Sequence, residues 1–378
     1  AVTLLMAIWW ATEAVPVAVT ALLPLALFPM LHVADFKTAA LPYANPNIYL
    51  FMGGFILALG IESSGLHKRL ALKMLIAIGN SGAKLVGGFM LVSAVISMWV
   101  MNTSTTLMLL PIGLAVCATV AETIPNFSYK ERKNFETSLL LGIAYAASIG
   151  GMSTLVGTAP NIIFVGFMQE TYGTEISFID WMKLGVPIAS IMLFASWYAI
   201  TKIVYPVHFI ASMETKLQLQ NMLNDLGALG KDEKKVLIIF SIAASAWMFR
   251  TLLDNFLPLS GLTDAGIAIF AALSFFFIPS ENNKTDLLTW EQANKLPWGL
   301  LVLFGGGLSL AASIGSSGLG DWIGQGLTVL GNVPPIILIL AVATLIIFLT
   351  EITSNVATTS TFLPVVGAVA VALGIAPV

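Results

Sequence analysis

The sequence predicts an all-α polytopic membrane protein built as an inverted repeat, each half carrying five spans and one re-entrant helical hairpin. Three observations predict it. Of the 378 residues, 57% are hydrophobic and only 10% charged, against roughly 25% charged in soluble domains. Apolar stretches of about 20 residues recur, each long enough as a helix to cross a ~30 Å hydrocarbon core. They are continuous instead of alternating at period two, which argues against a β-barrel. Finally, residues 51–66 lie over residues 304–319 with 10 of 16 positions identical, and Asn102 lies over Asn355, both pairs at one offset of 253 residues.

The first half covers residues 1–205. Its first apolar segment reaches Val15 and must end or bend at Glu13 and Pro16, because proline removes a backbone donor and clashes with the preceding turn. A second short span is expected over residues 16–30. After the polar stretch 34–46, a third span begins near Ile48 and carries Gly53-Gly54, then Ser63-Ser64-Gly65. Beyond the glycines, His67, Lys68, Arg69 and Lys73 mark an amphipathic stretch suited to the membrane interface. Residues 83–121 form the first hairpin. As one helix they would run about 60 Å, twice the core, so the segment folds back around Asn102. Two full spans or a re-entrant hairpin both satisfy this; the arm over residues 85–100, ~24 Å of helix, is short for a full crossing and favours re-entry. A long apolar segment over residues 138–168 follows, broken by Gly150-Gly151 and by Gly157-Thr158-Ala159-Pro160-Asn161, and then a span over residues 186–205.

Residues 206–235 read as a cytoplasmic connector, polar and helix-prone over residues 212–235. The second half, 236–378, restarts with apolar segments over residues 236–249, 265–279 and 300–330. It reaches a second hairpin, 334–375, which holds Asn355 and is expected to break at Pro364. Five spans per half is odd, so the second half is inverted. On this topology Lys37, Lys183 and Arg250 fall on one side and the other fourteen of the 17 Lys and Arg residues on the other. Such a bias marks the richer side as cytoplasmic. The first hairpin then enters from the cytoplasm and the second from outside; counting each as two full spans leaves the parity unchanged. Residues 1–15 lack the basic region and cleavage site of a signal peptide, and the last residue follows an apolar arm. Both ends are expected to be incomplete.

Broken helices at matching positions of an inverted repeat point to a midplane binding site in a secondary transporter. A half-helix N-terminus leaves N–H groups unpaired and carries partial positive charge, which suits a carboxylate or another oxyanion. Asn102, Thr103 and Asn355 add neutral donors. Carbonyls freed at the same breaks, with hydroxyls such as Ser97 and Thr350, suit a hard cation such as Na⁺. Simpler roles compete: Ser104, Ser360 and Thr361 are expected to bond within the helices, and the Gly53-Gly54 and Gly305-Gly306-Gly307 runs to serve close packing. The two asparagines, recurring at one offset, are read as the two halves of one transport site. Glu351, near the second tip, has no assigned role.

Thr350-Glu351 through Ser354-Asn355, Asn102-Thr103 at the first tip, and Ser148-Ile149-Gly150-Gly151 followed by residues 157–161 together resemble the divalent anion:sodium symporter family, over nearly the whole chain. The resemblance implies an ion-transporter-superfamily fold of eleven spans plus two hairpins, a homodimer, and an elevator in which a transport domain slides against a dimeric scaffold. It implies that Asn102, Thr103, Ser354 and Asn355 bind substrate carboxylates. It further implies one Na⁺ site at Ser97, Asn102 and Gly150 and another at Thr350, Thr353 and Asn355. Two positions depart from the family pattern: Met101 stands where the first tip has serine, and Val356 where the second has threonine. The counterpart of residues 157–161 and the last two spans are expected beyond Val378.

The expected function is therefore Na⁺-coupled symport of C4-dicarboxylates (succinate, malate, fumarate) across the cell inner membrane, with citrate, sulfate or another divalent anion as the alternative. The expected partners are that small anion, membrane lipid and a second copy of the chain, and not nucleic acid. An intramembrane aspartyl protease is disfavoured. Gly318-Leu319-Gly320-Asp321 matches a Gly-x-Gly-Asp pattern, but the other aspartates fall in loops or at span ends. No enzymatic activity is expected. The three histidines lack metal-ligand spacing, and the single Cys117 excludes an intrachain disulfide.

Overall fold

The computed structural model describes residues 1–77, 81–124, 127–210, 212–250, 253, 261–281, 286–319, 322, 334–351 and 353–372. The named elements among them are all helices. In chain order they are α1 (Val2–Thr12), α2 (Val17–Thr20), α3 (Leu23–Met30), α4 (Phe36–Ala40), a 3-10 turn (Leu41–Ala44), α5 (Pro46–Ser63), α6 (Leu66–Ile76), α7 (Gly82–Ser97), α8 (Asn102–Thr123) and α9 (Tyr129–Gly151). The rest are α10 (Ala159–Tyr172), α11 (Phe178–Tyr198) with a π-helical extension (Ala199–Val204), α12 (Met213–Asp225), α13 (Lys231–Met248), α14 (Asp264–Phe277), α15 (Trp290–Ala293), α16 (Trp298–Ser316), α17 (Pro335–Thr350) and α18 (Asn355–Ala372). Among the described residues, Phe36–Ser63, Asn102–Thr123, Phe178–Val204 and Trp298–Ser316 are long and apolar enough to cross a membrane.

The helix ends follow the chain's punctuation. α1 stops at Glu13, whose left-handed backbone (φ 48°, ψ 36°) closes it three residues before Pro16. Gly65 and Gly318, just past α5 and α16, take left-handed φ values of 77° and 73°, a conformation only glycine adopts without steric cost. α7 and α17 each have 16 residues, and α8 and α18 both begin on an asparagine. The bounds of α7 and the starts of α8 thus recur in α17 and α18 at the 253-residue offset that aligns the sequences. One expectation fails: α18 runs through Pro364 without a break. An apolar helix tolerates an internal proline where neighbouring groups satisfy the carbonyl it leaves free.

The chain forms two compact units, Ala1–Phe51 with Ala159–Ile176 and Pro297–Val378, and Met52–Thr158 with Ser177–Leu296. In the first, α16 is central. Met6, Trp10, Phe28, Leu303, Leu310 and Ile314 build its core. The glycine run lets α16 approach its neighbours: a Cβ at Gly305 would meet Tyr43 at 2.3 Å, and one at Gly306 the carbonyl oxygen of Ala21 at 2.3 Å. Close packing accounts for these glycines and equally for Gly53 against Ala268 and Gly54 against Val156 in the second unit.

In the second unit α7 lies along α9, with Phe89, Phe135, Leu139 and Ala146 fully buried and Ser93 Oγ donating to the Ile143 carbonyl at 2.8 Å. The connector is a helix, α12, packed on α6 and α8. Here α6 differs from its expected interfacial role. Lys68 and Lys73 are exposed, but His67 and Arg69 are each only 5% exposed. Arg69 Nε pairs with Glu233 Oε1 at 2.8 Å, and its two terminal nitrogens donate to the carbonyls of Leu226, Gly227 and Ala228, at the C-terminal end of α12. The cationic guanidinium meets the negative end of that helix dipole while completing an ion pair.

Candidate functional site

The first break lies in the second unit, between Ser97 at the end of α7 and Asn102 at the start of α8. The carbonyl end of one helix and the amide end of the next open on the same four residues, 98–101. Met101 occupies the N-cap position of α8 and supplies no capping bond, and the first turn holds no acidic residue. The positive end of α8 is therefore not neutralised by its own side chains. Serine, a preferred N-cap, would take up one of these amides; Met101 does not.

Ser97 Oγ donates to Asn102 Oδ1 at 2.6 Å, bridging the break. The second broken helix closes on the same place. α9 ends at Gly151 and α10 begins at Ala159, and the intervening residues pack against the tip. A Cβ at Gly150 would lie 2.2 Å from the Ala94 carbonyl oxygen, and one at Gly151 would lie 2.5 Å from Asn102 Oδ1. Only glycine permits this approach. Thr154 Oγ1 donates to the Met98 carbonyl and accepts the Gly157 N–H at 3.1 Å, tying one break to the other. Trp181 Nε1 donates to the Met152 carbonyl at 2.9 Å. Trp99, in the turn itself, stacks on Phe178 and meets Phe240 edge-on at 4.9 Å. The structure thus joins Ser97 to Asn102, sets Gly151 against Asn102 and Gly150 against Ala94 on α7, while Thr103 stands exposed on the first turn of α8. The oxygens here are neutral and hard, the donor type that suits an alkali cation. Among the described residues no cluster of His, Cys, Asp and Glu could hold a metal ion.

The second break lies in the first unit, between α17 and α18. Asn355 is exposed at the start of α18, and its carbonyl accepts from Thr359 Oγ1 at 2.8 Å. Thr350 Oγ1 turns back onto the Ile347 carbonyl at 2.9 Å. Thr353 Oγ1 reaches the Leu349 carbonyl at 2.9 Å and Thr358 Oγ1 at 2.6 Å, and the Ser354 carbonyl accepts the Thr358 N–H at 2.9 Å. Ser97 and Asn102 correspond by offset to Thr350 and Asn355, yet the latter pair has no such bridge. Thr353 and Thr358 correspond to Val100 and Thr105, and Thr105 Oγ1 reaches the Val100 carbonyl at 3.5 Å. The bond across the break is shared; its chemistry is not. Of the hydroxyls expected to bond within the helices, Thr361 does so, to Ala357 at 2.8 Å. Ser360 Oγ is buried with no partner among the described residues. Glu351 is exposed at the end of α17.

Sequence reasoning missed Gly151, Thr154 and Thr358 as parts of these breaks. Gly151 and Thr154 lie within or between runs already singled out, and Thr358 is the offset partner of buried Thr105, so the repeat itself carried the signal.

The model of the sodium:sulfate symporter transmembrane region matches residues 1–378. The chain belongs to that family. It is 40% identical over 381 residues to the sodium-dependent dicarboxylate transporter SdcS of Staphylococcus saprophyticus, covering all of this chain and 73% of that protein. It is 39% identical over 383 residues to the SdcS proteins of Staphylococcus aureus strains USA300 and NCTC 8325, with the same coverage. Membership in the symporter family identifies a multi-pass membrane transporter and not an enzyme, which removes the aspartyl-protease alternative. Gly320 and Asp321 of its motif lie outside the described residues.

Proposed function

We propose that the protein is a Na⁺-coupled symporter of C4-dicarboxylates such as succinate, malate and fumarate, acting in the cell inner membrane. The observation that carries the reading is the first break, where an uncapped helix N-terminus suited to a carboxylate adjoins neutral oxygens suited to Na⁺. All three relatives are named for sodium and dicarboxylate. In this reading Na⁺ is the coupling ion. Asn102 and Thr103 at the first tip, and Ser354 and Asn355 at the second, donate to substrate carboxylates. Ser97, Asn102 and Gly150 hold one Na⁺ and Thr350, Thr353 and Asn355 another. Binding a cation beside the anion lowers the cost of taking either from water, so each favours the other, which is the basis of coupling.

The two halves form an inverted repeat with re-entrant hairpins. Equal helix bounds at the 253-residue offset support the repeat, and the charge bias supports its inversion. Lys68 and Lys295, far apart in sequence and assigned by that topology to the cytoplasmic side, line one cleft of the second unit. Transport proceeds by an elevator motion in a lipid-embedded homodimer, as the family resemblance implies. Met101 and Val356 favour a second reading, in which citrate, sulfate or another dianion replaces the dicarboxylate, since each removes a hydroxyl from a tip.

Proteoliposomes holding the full-length protein under an imposed Na⁺ gradient test both. The expected result is Na⁺-stimulated uptake of succinate in preference to citrate and sulfate. Preference for either of those selects the second reading, and no Na⁺-stimulated uptake of any rejects both. Asn102→Ala and Asn355→Ala are each expected to abolish uptake while the purified protein keeps its thermal transition; wild-type transport in either would show that tip to be structural.

A further inference from the structure

Beside the first break, a cleft of about 510 Å³ opens in the second unit among α5, α6, α8 and α15, within the range of small-molecule sites. Two ammonium groups line it from separate elements, Lys68 at the start of α6 and Lys295 just after α15. Lysines are long, flexible point charges that suit an anion without fixing its shape. The start of α6 strengthens the case. Its first turn holds no acidic residue and carries His67 and Lys68 instead, the reverse of what stabilises a helix N-terminus. A local arrangement that works against its own helix is expected where function demands it, and here His67 and Lys68 of that first turn line one cavity with Lys295.

Neutral donors complete it. The Gln292 side-chain oxygen is held by the Thr289 N–H at 2.8 Å, which leaves the amide N–H₂ as its donor end. Ser104 lines the same cleft and lies on the first turn of α8, two residues past Asn102. One carboxylate, Glu62, opposes the lysines. The net charge of the lining is thus one positive with His67 neutral, and Glu62 offsets one of the two lysine charges.

We propose that this cleft is a docking site for the transported divalent anion at the cytoplasmic end of the protein, with Lys68 and Lys295 as its cationic arms and Glu62 as an internal competitor for them. The proposal rests on the reading of the chain as a dianion carrier. Such a site raises the local concentration of anion beside the first tip, and charge-lined clefts act through exactly this kind of focusing only while salt does not screen them.

The test is sided transport in proteoliposomes, with half-saturating succinate measured separately from each face. K68Q/K295Q is expected to raise the half-saturating concentration at least about threefold at the cytoplasmic face, to leave the outer face unchanged, and to lose the difference as ionic strength rises. K68R/K295R keeps both charges and is expected to match the wild type. E62Q removes the competitor and is expected to lower the cytoplasmic value. If the wild type moves no dianion, the carrier reading falls and the docking site with it. If the wild type transports and K68Q/K295Q matches it at both faces, or shifts both faces equally, the docking site is refuted and the carrier reading stands.

Discussion

Adjacent glycines at the end of α9 are expected to separate stability from function. Gly151→Ala places a methyl 2.5 Å from Asn102 Oδ1, about 0.9 Å inside the 3.4 Å at which ordinary contact begins. The atom struck is the end of a side chain, so it moves at small folding cost, and replacing a helical glycine by alanine otherwise returns up to ~1 kcal/mol. The net change in stability is expected to stay within about 1 kcal/mol. The functional cost is larger. Displacing Asn102 Oδ1 by nearly 1 Å breaks the 2.6 Å bond from Ser97 and moves the carbonyl proposed to ligate Na⁺. A lost interaction with a charged group costs roughly 1.5–3 kcal/mol, or about ten- to a hundredfold in the Na⁺ concentration for half-maximal uptake.

Gly150→Ala strikes backbone instead, 2.2 Å from the Ala94 carbonyl oxygen and 2.4 Å from its Cα. Neither atom moves unless α7 and α9 separate, and overpacking of this kind costs typically 1–3 kcal/mol or more. A fall in thermal stability is therefore expected for Gly150→Ala that Gly151→Ala does not show. Thermal unfolding in detergent and Na⁺-dependent succinate uptake measure the two quantities. Wild-type Na⁺ dependence in folded Gly151→Ala would falsify the assignment of the Asn102 carbonyl to the cation.

Arg69→Ala leaves Glu233 buried without its guanidinium and is expected to destabilise by about 3–5 kcal/mol; Arg69→Lys should recover little, since one ammonium cannot reach the three carbonyls beyond α12 as well. Burial holds the His67 imidazole below its ordinary pKa, against the partial support of the Ile61 carbonyl to which Nδ1 donates. The unfolded chain then binds the proton more readily, so His67 lowers stability as pH falls below about 6.5. The stability of the wild type relative to His67→Gln should accordingly drop between pH 7.5 and 5.5, and a pH-independent difference in melting temperature would contradict the burial argument. Met101→Ser supplies the missing N-cap of α8 and is expected to add about 0.5–1 kcal/mol. It also takes an amide from the proposed anion site, so competition by citrate or sulfate against succinate should change; an unchanged profile would exclude Met101 from substrate choice.

Much of this architecture is local, and so it was legible. Pro16, Gly65 and Gly318 stop helices by rules that act within one turn, and the helix bounds fall where those residues stand. Pro364 shows the limit of such rules, because whether a proline breaks a helix depends on what satisfies the freed carbonyl, which the local sequence does not contain. Arg69 shows another limit. Periodicity assigns a residue to a face of α6, but the partner that makes the charge tolerable inside the protein is Glu233, on the first turn of α13. The contact between Gly151 and Asn102 is of the same kind, fixed by the packing of α9 on the first hairpin.

The comparison of the two breaks shows why a repeat predicts structure better than chemistry. Backbone geometry recurs at the common offset because helix starts and stops recur, and a bond across each break recurs with it, from Thr105 to Val100 and between Thr358 and Thr353. What differs is one side chain: valine at position 100 offers only its carbonyl, whereas threonine at 353 offers a hydroxyl that also reaches Leu349. The first break then leaves its polar bridge to Ser97 and Asn102. The second draws its hydroxyls together around Thr353 and leaves Asn355 exposed. The two proposed Na⁺ sites then differ in make-up, and substitutions at positions equivalent by the offset are expected to shift Na⁺ dependence by unequal amounts.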